Sequence, residues 1–208
     1  MQEQSMQGLY LVTPDWDDTD QLLAVTEQAL LAGVALLQYR HKHAGAALRL
    51  EQASALLALC RRYQCKLIIN DFIELCQKID ADGIHVGGLD ASVAQMRALL
   101  GPGKIVGASC YGDLPRAVQA QQDGASYVAF GGFYPSRVKQ YPVTTAPGIV
   151  AEAKACLNLP CVVIGGMNVE NAAPLVAHGA DMVAAISSVY LALDPQAAVR
   201  GFRALYQK

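Results

Sequence analysis

The chain has 208 residues, of which 53% are apolar and only 16% charged, so much of it must be buried in a sizeable core. A formal net charge of -2 excludes the broad basic surface that nucleic-acid binding requires and directs attention to small-molecule ligands. No stretch offers the uninterrupted apolar run of a membrane span, and MQEQSMQGLYLVTPDW lacks the build of an export signal. Cys60, Cys65, Cys76, Cys110, Cys156 and Cys161 form no CxxC pair, so a reducing cytoplasm is the expected setting.

Leu9 to Val12 is a short apolar run stopped by Thr13-Pro14, and Asp20 to Ala32 then spaces its apolar residues as a helix does. Gly33 ends that helix, Val34 to Leu37 reads as a second strand, and Gln38-Tyr39-Arg40-His41-Lys42 follows at its end. Ala46 to Tyr63 is a long helix rich in Ala and Leu, Lys66 to Ile69 a third strand, and Asn70-Asp71 marks its end. Phe72 to Ile79 makes a short helix before strand four, Ile84 to Val86, with Asp90 just beyond. Ala91 to Leu100 is helical in pattern, Gly101-Pro102-Gly103 breaks it, and Ile105 to Ala108 is strand five, closed by Ser109 and Cys110. Asp113 to Gln122 is a helix and Tyr127 to Phe130 strand six. The stretch 131-148, rich in Pro and Gly, reads as a long loop of the kind that serves as a lid. Ile149 to Leu157 is a helix, and Cys161 to Ile164 is strand seven, ending in Gly165-Gly166. A helix capped by Asn168 or Asn171 leads to strand eight, Met182 to Ile186, which Ser187-Ser188 ends, and Pro195 opens the last helix.

Eight strand and helix units with no linker between them predict an α/β fold, a single-domain TIM (β/α)8 barrel over residues 1-208. The turns Ala81-Asp82-Gly83, Asp123-Gly124-Ala125 and Gly179-Ala180-Asp181 recur before strands, as a repeated unit should. In such a barrel the carboxyl ends of the strands hold the active site. There the sequence places Gln38, Arg40 and Lys42, then Asn70 and Asp71, then Asp90, Ser109, and Ser136, Arg137 and Lys139, with Gly165-Gly166 and Ser187-Ser188 completing the ring. Two acids, several bases and a glycine-rich anion cradle at one rim suit a metal-bound diphosphate and a second phosphate. Taken singly, Asn70-Asp71 and Asp90 favour a plainer reading as helix caps. His85 reads as an interior packing residue and Cys110 as a buried thiol, and His41, His43 and His178 lack the spacing of a zinc site.

GLYLVT, LLQYRHK, LIINDF, ADGIHVGGLD, IVGAS, the YPSRVK loop, VIGGMN and the ISS ending occur in order at successive strand ends. Together they resemble the thiamine phosphate synthase family over almost the entire chain. The resemblance implies a TIM barrel that joins hydroxymethylpyrimidine diphosphate to thiazole phosphate, releasing pyrophosphate through a stabilised pyrimidine cation that the thiazole nitrogen attacks. By position it implies that Gln38, Arg40, Lys42, Asn70 and Lys139 hold the pyrimidine diphosphate and that Asp71 and Asp90 bind Mg2+. Ser109 would contact the pyrimidine. Gly166, Ile186 and Ser187, with the loop residues Ser136, Arg137 and Val138, would receive the thiazole phosphate. Arg40, Lys42, Ser109 and Lys139 are the expected catalytic groups.

The chain departs from the family pattern at four places. Val138 lacks the hydroxyl of a Thr-x-Thr-Lys loop, Gly131-Gly132 replaces Gly-Pro, Phe72 replaces Arg, and Gly88 replaces Gln. A thiazole tautomerase of the same fold and a noncatalytic sensor of thiamine phosphates are the competing expectations, and the sequence does not decide between a monomer and a homo-oligomer.

Overall fold

The computed structural model describes residues 6–87, 92–135 and 145–207. Eight parallel strands close into a barrel in sequence order, with the first paired to the last. They are β1 Gly8–Val12, β2 Leu36–Tyr39, β3 Lys66–Asn70, β4 Gly83–Val86, β5 Ile105–Tyr111, β6 Tyr127–Gly131, β7 Cys161–Ile164 and β8 Met182–Ala185. The helices among the described residues are α1 Thr19–Ala32, α2 Ala46–Arg62, α3 Ile73–Ile79, α4 Val93–Leu100, α5 Leu114–Gln122, α6 Ile149–Cys156, α7 Val169–Ala177, α8 Ser187–Tyr190 and α9 Pro195–Ala204. None of them is long and apolar enough to cross a membrane.

Successive side chains of a strand point to opposite faces, and that alternation sorts the apolar runs into two cores. Tyr10, Val12, Leu36, Ile68, Tyr127, Ala129, Val162, Met182 and Ala184 fill the barrel. Their neighbours Leu9, Leu11, Leu37, Leu67, Ile69, Ile84, Val128, Phe130, Val163 and Val183 belong to the layer that the helices cover. Strands buried on both faces must read as continuous apolar runs, which is why they were visible in the sequence.

The turns before the strands do repeat, and the repetition has a use at the amino-terminal rim. The residue ahead of one strand accepts a backbone N–H from the strand before it: Leu67 N–H donates to Asp82, Val106 N–H to Ser126 Oγ, and Cys161 N–H to Asp181. Lys66 and Lys154 pair with those two aspartates. These contacts lie at the end of the barrel opposite the expected site, where they serve stability.

Several boundaries differ from the sequence expectation. β2 runs from Leu36 rather than Val34, because Gly33 turns through a left-handed conformation at φ 96° and the chain enters the sheet two residues later. Gln38 is therefore a buried residue within the strand and not a residue beyond it. β5 continues through Ser109 to Tyr111, with a register irregularity against β6 between Ser109 and Tyr111. β8 stops at Ala185, and Ser187 opens the short helix α8.

Candidate active site

The carboxyl-terminal rim begins with a device tying β1 to β2. Thr13 Oγ1 accepts the Arg40 N–H at 2.8 Å and donates to the Arg40 carbonyl at 3.1 Å, fixing the backbone of that residue. Asp15, three residues past β1, accepts from Arg40 Nη1 at 3.3 Å and from the Lys42 N–H at 3.1 Å. The Arg40 side chain is only 8% exposed, and its Nε is buried with no hydrogen-bond partner among the described residues. A buried guanidinium with a spare donor is costly unless an anion completes it. Next to it, His41 accepts the Ala44 N–H at Nδ1 and so holds its proton on Nε2, which donates to Asp17. That histidine braces the turn.

Asn70 ends β3 pointing into the barrel beside His85, its partner in the β3–β4 register. Asp71 follows in a left-handed conformation, φ 60°, with its N–H donating to the His85 carbonyl at 2.9 Å. Aspartate tolerates this backbone because of its short polar side chain. Its carboxylate accepts from Asn70 Nδ2 at 2.6 Å, and Lys42 Nζ stands 3.8 Å away. The plainer capping reading of Asp71 fails: the N-cap of α3 is Phe72, without a side-chain cap bond. The cap of α4 is Ser92, in a reciprocal box with Gln95, rather than Asp90. With capping removed, Asp71 is a rim carboxylate in contact with Asn70 at the end of β3 and with Lys42 of the loop after β2. Arg49 of α2 lies 3.9 Å over the Phe72 ring, so a guanidinium stands beside the position where the family pattern places Arg.

His85 lies in the barrel interior, stacked on Tyr127 as a packing residue would be, and it also makes hydrogen bonds there. Its Nε2 lies 2.8 Å from Ser109 Oγ and its Nδ1 2.9 Å from the Tyr127 hydroxyl. The chain continues to Tyr10, 2.6 Å from the Tyr127 hydroxyl, and ends where Gln38 Nε2 donates to Tyr10 at 2.7 Å. Burial pushes both phenols well above the ordinary tyrosine range, so they stay protonated. Cys110 faces the helix layer, and burial pushes its thiol up to about 12, as the buried-thiol reading expects.

On the far side of the rim, β7 and β8 end in Gly165-Gly166 and Ile186-Ser187. Gly165 and Gly166 have φ of 116° and 62°, and a Cβ on Gly166 would meet the Pro135 carbonyl at 2.2 Å. Only glycine allows the loop after β6 to approach this closely. Ser188 Oγ is buried without a partner among the described residues. Gly132 has φ 83°, a conformation closed to proline, so the change from Gly-Pro alters the backbone where this loop starts. Thr145 Oγ1 donates to the Gly131 carbonyl and its N–H to that of Gly132. Asp90, Ser136, Arg137, Val138 and Lys139 lie outside the described residues. The structure thus brings Gln38, Arg40, Lys42, Asn70, Asp71 and Ser109 to one half of the rim, and Gly166, Ile186 and Ser187 to the other.

In (β/α)8-barrel enzymes the active site lies at this carboxyl-terminal rim, frequently with a phosphate site in the loops after the seventh and eighth strands. The family model described as thiamine monophosphate synthase matches residues 9–189. A thiamine-phosphate synthase of Janthinobacterium sp. (strain Marseille) is 67% identical over 204 residues, 98% of this chain and 99% of that one. Its counterpart in Nitrosomonas eutropha is 46% identical, covering 96% and 94%. Among solved structures, a thiamine phosphate pyrophosphorylase from Pyrococcus furiosus superposes with a TM-score of 0.83 at 27% identity, covering 97% of this chain and 96% of that one. The chain belongs to the thiamine monophosphate synthase family.

Proposed function

We propose that this protein condenses hydroxymethylpyrimidine diphosphate with thiazole phosphate, releasing pyrophosphate and forming thiamine phosphate. The observation that carries the reading is Arg40: its guanidinium is buried with Nε unpaired among the described residues, at the rim half that also holds Lys42, Asn70 and Asp71. A diphosphate supplies the missing acceptor. In this reading Gln38, Arg40, Lys42 and Asn70 hold the first substrate, and Ser109 touches its pyrimidine. Gly166, Ile186 and Ser187 take the thiazole phosphate at the strand ends where this fold recurrently binds phosphate. Family position adds Lys139 to the diphosphate, and Ser136, Arg137 and Val138 to the thiazole phosphate, on a lid over 131-148.

The residues present suit Mg2+. Asp71 offers hard carboxylate oxygen at the rim with its side chain 37% exposed, and this ion is commonly held by one or two carboxylates plus substrate phosphates. Asp71, with Asp90 by family position, would hold it, and it would supply charge neutralisation on the diphosphate oxygens. Arg40 and Lys42 act in the same direction. As the bond from the pyrimidine methylene carbon to oxygen breaks, its electron pair leaves with pyrophosphate, and preorganised cations stabilise the charge where it grows. The thiazole nitrogen then donates the pair that forms the new C–N bond. No protein nucleophile is required. Six unpaired thiols accord with a reducing cytoplasm.

The test is to supply the purified protein with both substrates, with and without Mg2+, and to follow pyrophosphate and thiamine phosphate together. The expected result is magnesium-dependent formation of both in equal amounts. Isomerisation of the thiazole alone would assign a tautomerase, and tight binding without any product a sensor; either would overturn the reading.

A further inference from the structure

Asp15 stands on a segment that is pinned on both sides. Ahead of it, the Thr13 N–H donates to the Gln38 carbonyl at 2.9 Å, and Thr13 Oγ1 brackets the Arg40 backbone at 2.8 and 3.1 Å. Behind it, the Trp16 carbonyl accepts from Gln52 Nε2 of α2 at 2.9 Å, and the indole meets the Tyr190 ring edge to face. Thr13 and Gln52 are fully buried. Exposed ion pairs are weak partly because both side chains must be ordered to meet. Here the carboxylate is 26% exposed, the guanidinium 8%, and the backbone beneath each is already held.

Both carboxylate oxygens of Asp15 share a single nitrogen of Arg40: Nη1 lies 3.4 Å from Oδ1 and 3.3 Å from Oδ2. Oδ1 also accepts the Lys42 N–H at 3.1 Å. A guanidinium is a planar fork, and a carboxylate that met it squarely would occupy two nitrogens of one edge. Asp15 leaves that edge open. Nε is buried with no partner, and Nη2 makes no hydrogen bond among the described residues. One carboxylate thus tethers the Arg40 head by its third nitrogen and fixes the Lys42 backbone beside it.

We propose that Asp15 is a positioning residue for the diphosphate, holding Arg40 by Nη1 so that the Nε–Nη2 edge is preformed for a pair of phosphate oxygens. The proposal rests on the reading that this rim takes a pyrimidine diphosphate. Its effect has a sign that charge alone would reverse. A carboxylate beside a diphosphate repels it, so if Asp15 acted only through its charge, removing it would tighten binding. If Asp15 positions Arg40, removing it weakens binding, because the ligand must then order the freed guanidinium itself.

The test is calorimetric titration with the pyrimidine diphosphate and Mg2+ of wild type, Asp15→Ala, Asp15→Asn, Arg40→Met and the double variant of Asp15→Ala with Arg40→Met, each verified to fold by thermal unfolding. Asp15→Ala is expected to raise Kd roughly tenfold, and Asp15→Asn, which loses the charge but keeps an oxygen acceptor, to raise it less. If Asp15→Ala does not fold, a Kd above wild type in Asp15→Asn carries the test. In the Arg40→Met background the alanine should change Kd by less than about threefold, since a residue acting through Arg40 has little left to act on. A purely structural role would cost the same in both backgrounds. The KM for thiazole phosphate should stay within about twofold in the Asp15 variants. An unchanged or lowered Kd in those variants, or an undiminished rise in the Arg40→Met background, overturns the proposal. Product formation by the wild type reports separately: turnover with no effect of Asp15 strikes the positioning role alone, whereas neither turnover nor diphosphate binding strikes the synthase reading as well.

Discussion

Gly107 is where the barrel interior is least forgiving. A Cβ built there would lie 2.0 Å from Tyr127 Cζ, 2.2 Å from its hydroxyl oxygen and 2.6 Å from Cε1. Carbon atoms rest about 3.5 Å apart or more, so Gly107→Ala obliges the ring to withdraw by roughly 1.5 Å. The Tyr127 hydroxyl is held at 2.6 Å by Tyr10 and at 2.9 Å by His85, and a displacement of that size takes it out of hydrogen-bond range of both. Two buried partners left unsatisfied cost about 1 to 3 kcal/mol each, and forcing an extra methyl into a packed core adds about 1 to 3. A total of about 3 to 9 kcal/mol lowers Tm by roughly 6 to 36 °C for a chain of this size. The assay is thermal unfolding of the wild type, Gly107→Ala, Tyr127→Ala and the double variant. If the collision is with Tyr127, the alanine at 107 becomes nearly harmless once that ring is gone. A Tm within 2 °C of wild type for the single variant, or an undiminished loss in the Tyr127→Ala background, would refute the steric account.

Asp71→Asn should fold normally, because asparagine also tolerates φ 60°, yet lose nearly all turnover at saturating Mg2+; turnover close to wild type would remove the carboxylate from the reaction. Arg40→Met keeps the bulk of the stem and removes the guanidinium, and the loss of charge-assisted bonds of about 1.5 to 3 kcal/mol raises KM for the pyrimidine diphosphate by roughly 10- to 150-fold. An increase below threefold would show that Arg40 does not hold it. Burial pushes Cys76 and Cys161 up to about 11 and Cys110 to about 12, while Cys156 is exposed. Iodoacetamide at pH 8 should therefore alkylate Cys156 alone in the folded protein, as mass spectrometry of the adducts would show. The same raised values make the folded state bind more protons than the unfolded one above about pH 8.5, so these thiols' contribution to stability falls from there towards pH 11 to 12. Urea midpoints that rise across that window would contradict the assignment.

Much of the barrel was legible because strands covered on both faces announce themselves as apolar runs, and because turn residues punctuate them. The limit of that signal is visible at Gln38: a polar residue inside a strand reads as the strand's end. Asp71 shows a second limit, since a carboxylate just ahead of a helix looks like a cap until its left-handed backbone is known. His85 shows a third. Its partners Ser109 and Tyr127 lie 24 and 42 positions away, and the Tyr10–Tyr127 link spans 117, so nothing local marks the chain they form. Thr13 and Asp15 were within reach of the strand-end rule, which applies to β1 as much as to the others.

The pairing of β1 with β8 also has a temporal meaning. Arg203 of α9 donates to the Ala32 carbonyl at the end of α1, so the last helix is fastened to the first unit. During translation, the amide row of β1 that faces β8 waits without its partner while nearly the whole chain is made. The strand that opens the barrel is thus covered on this edge only when the strand that closes it has been made, and until then the edge is open to pairing with a neighbour.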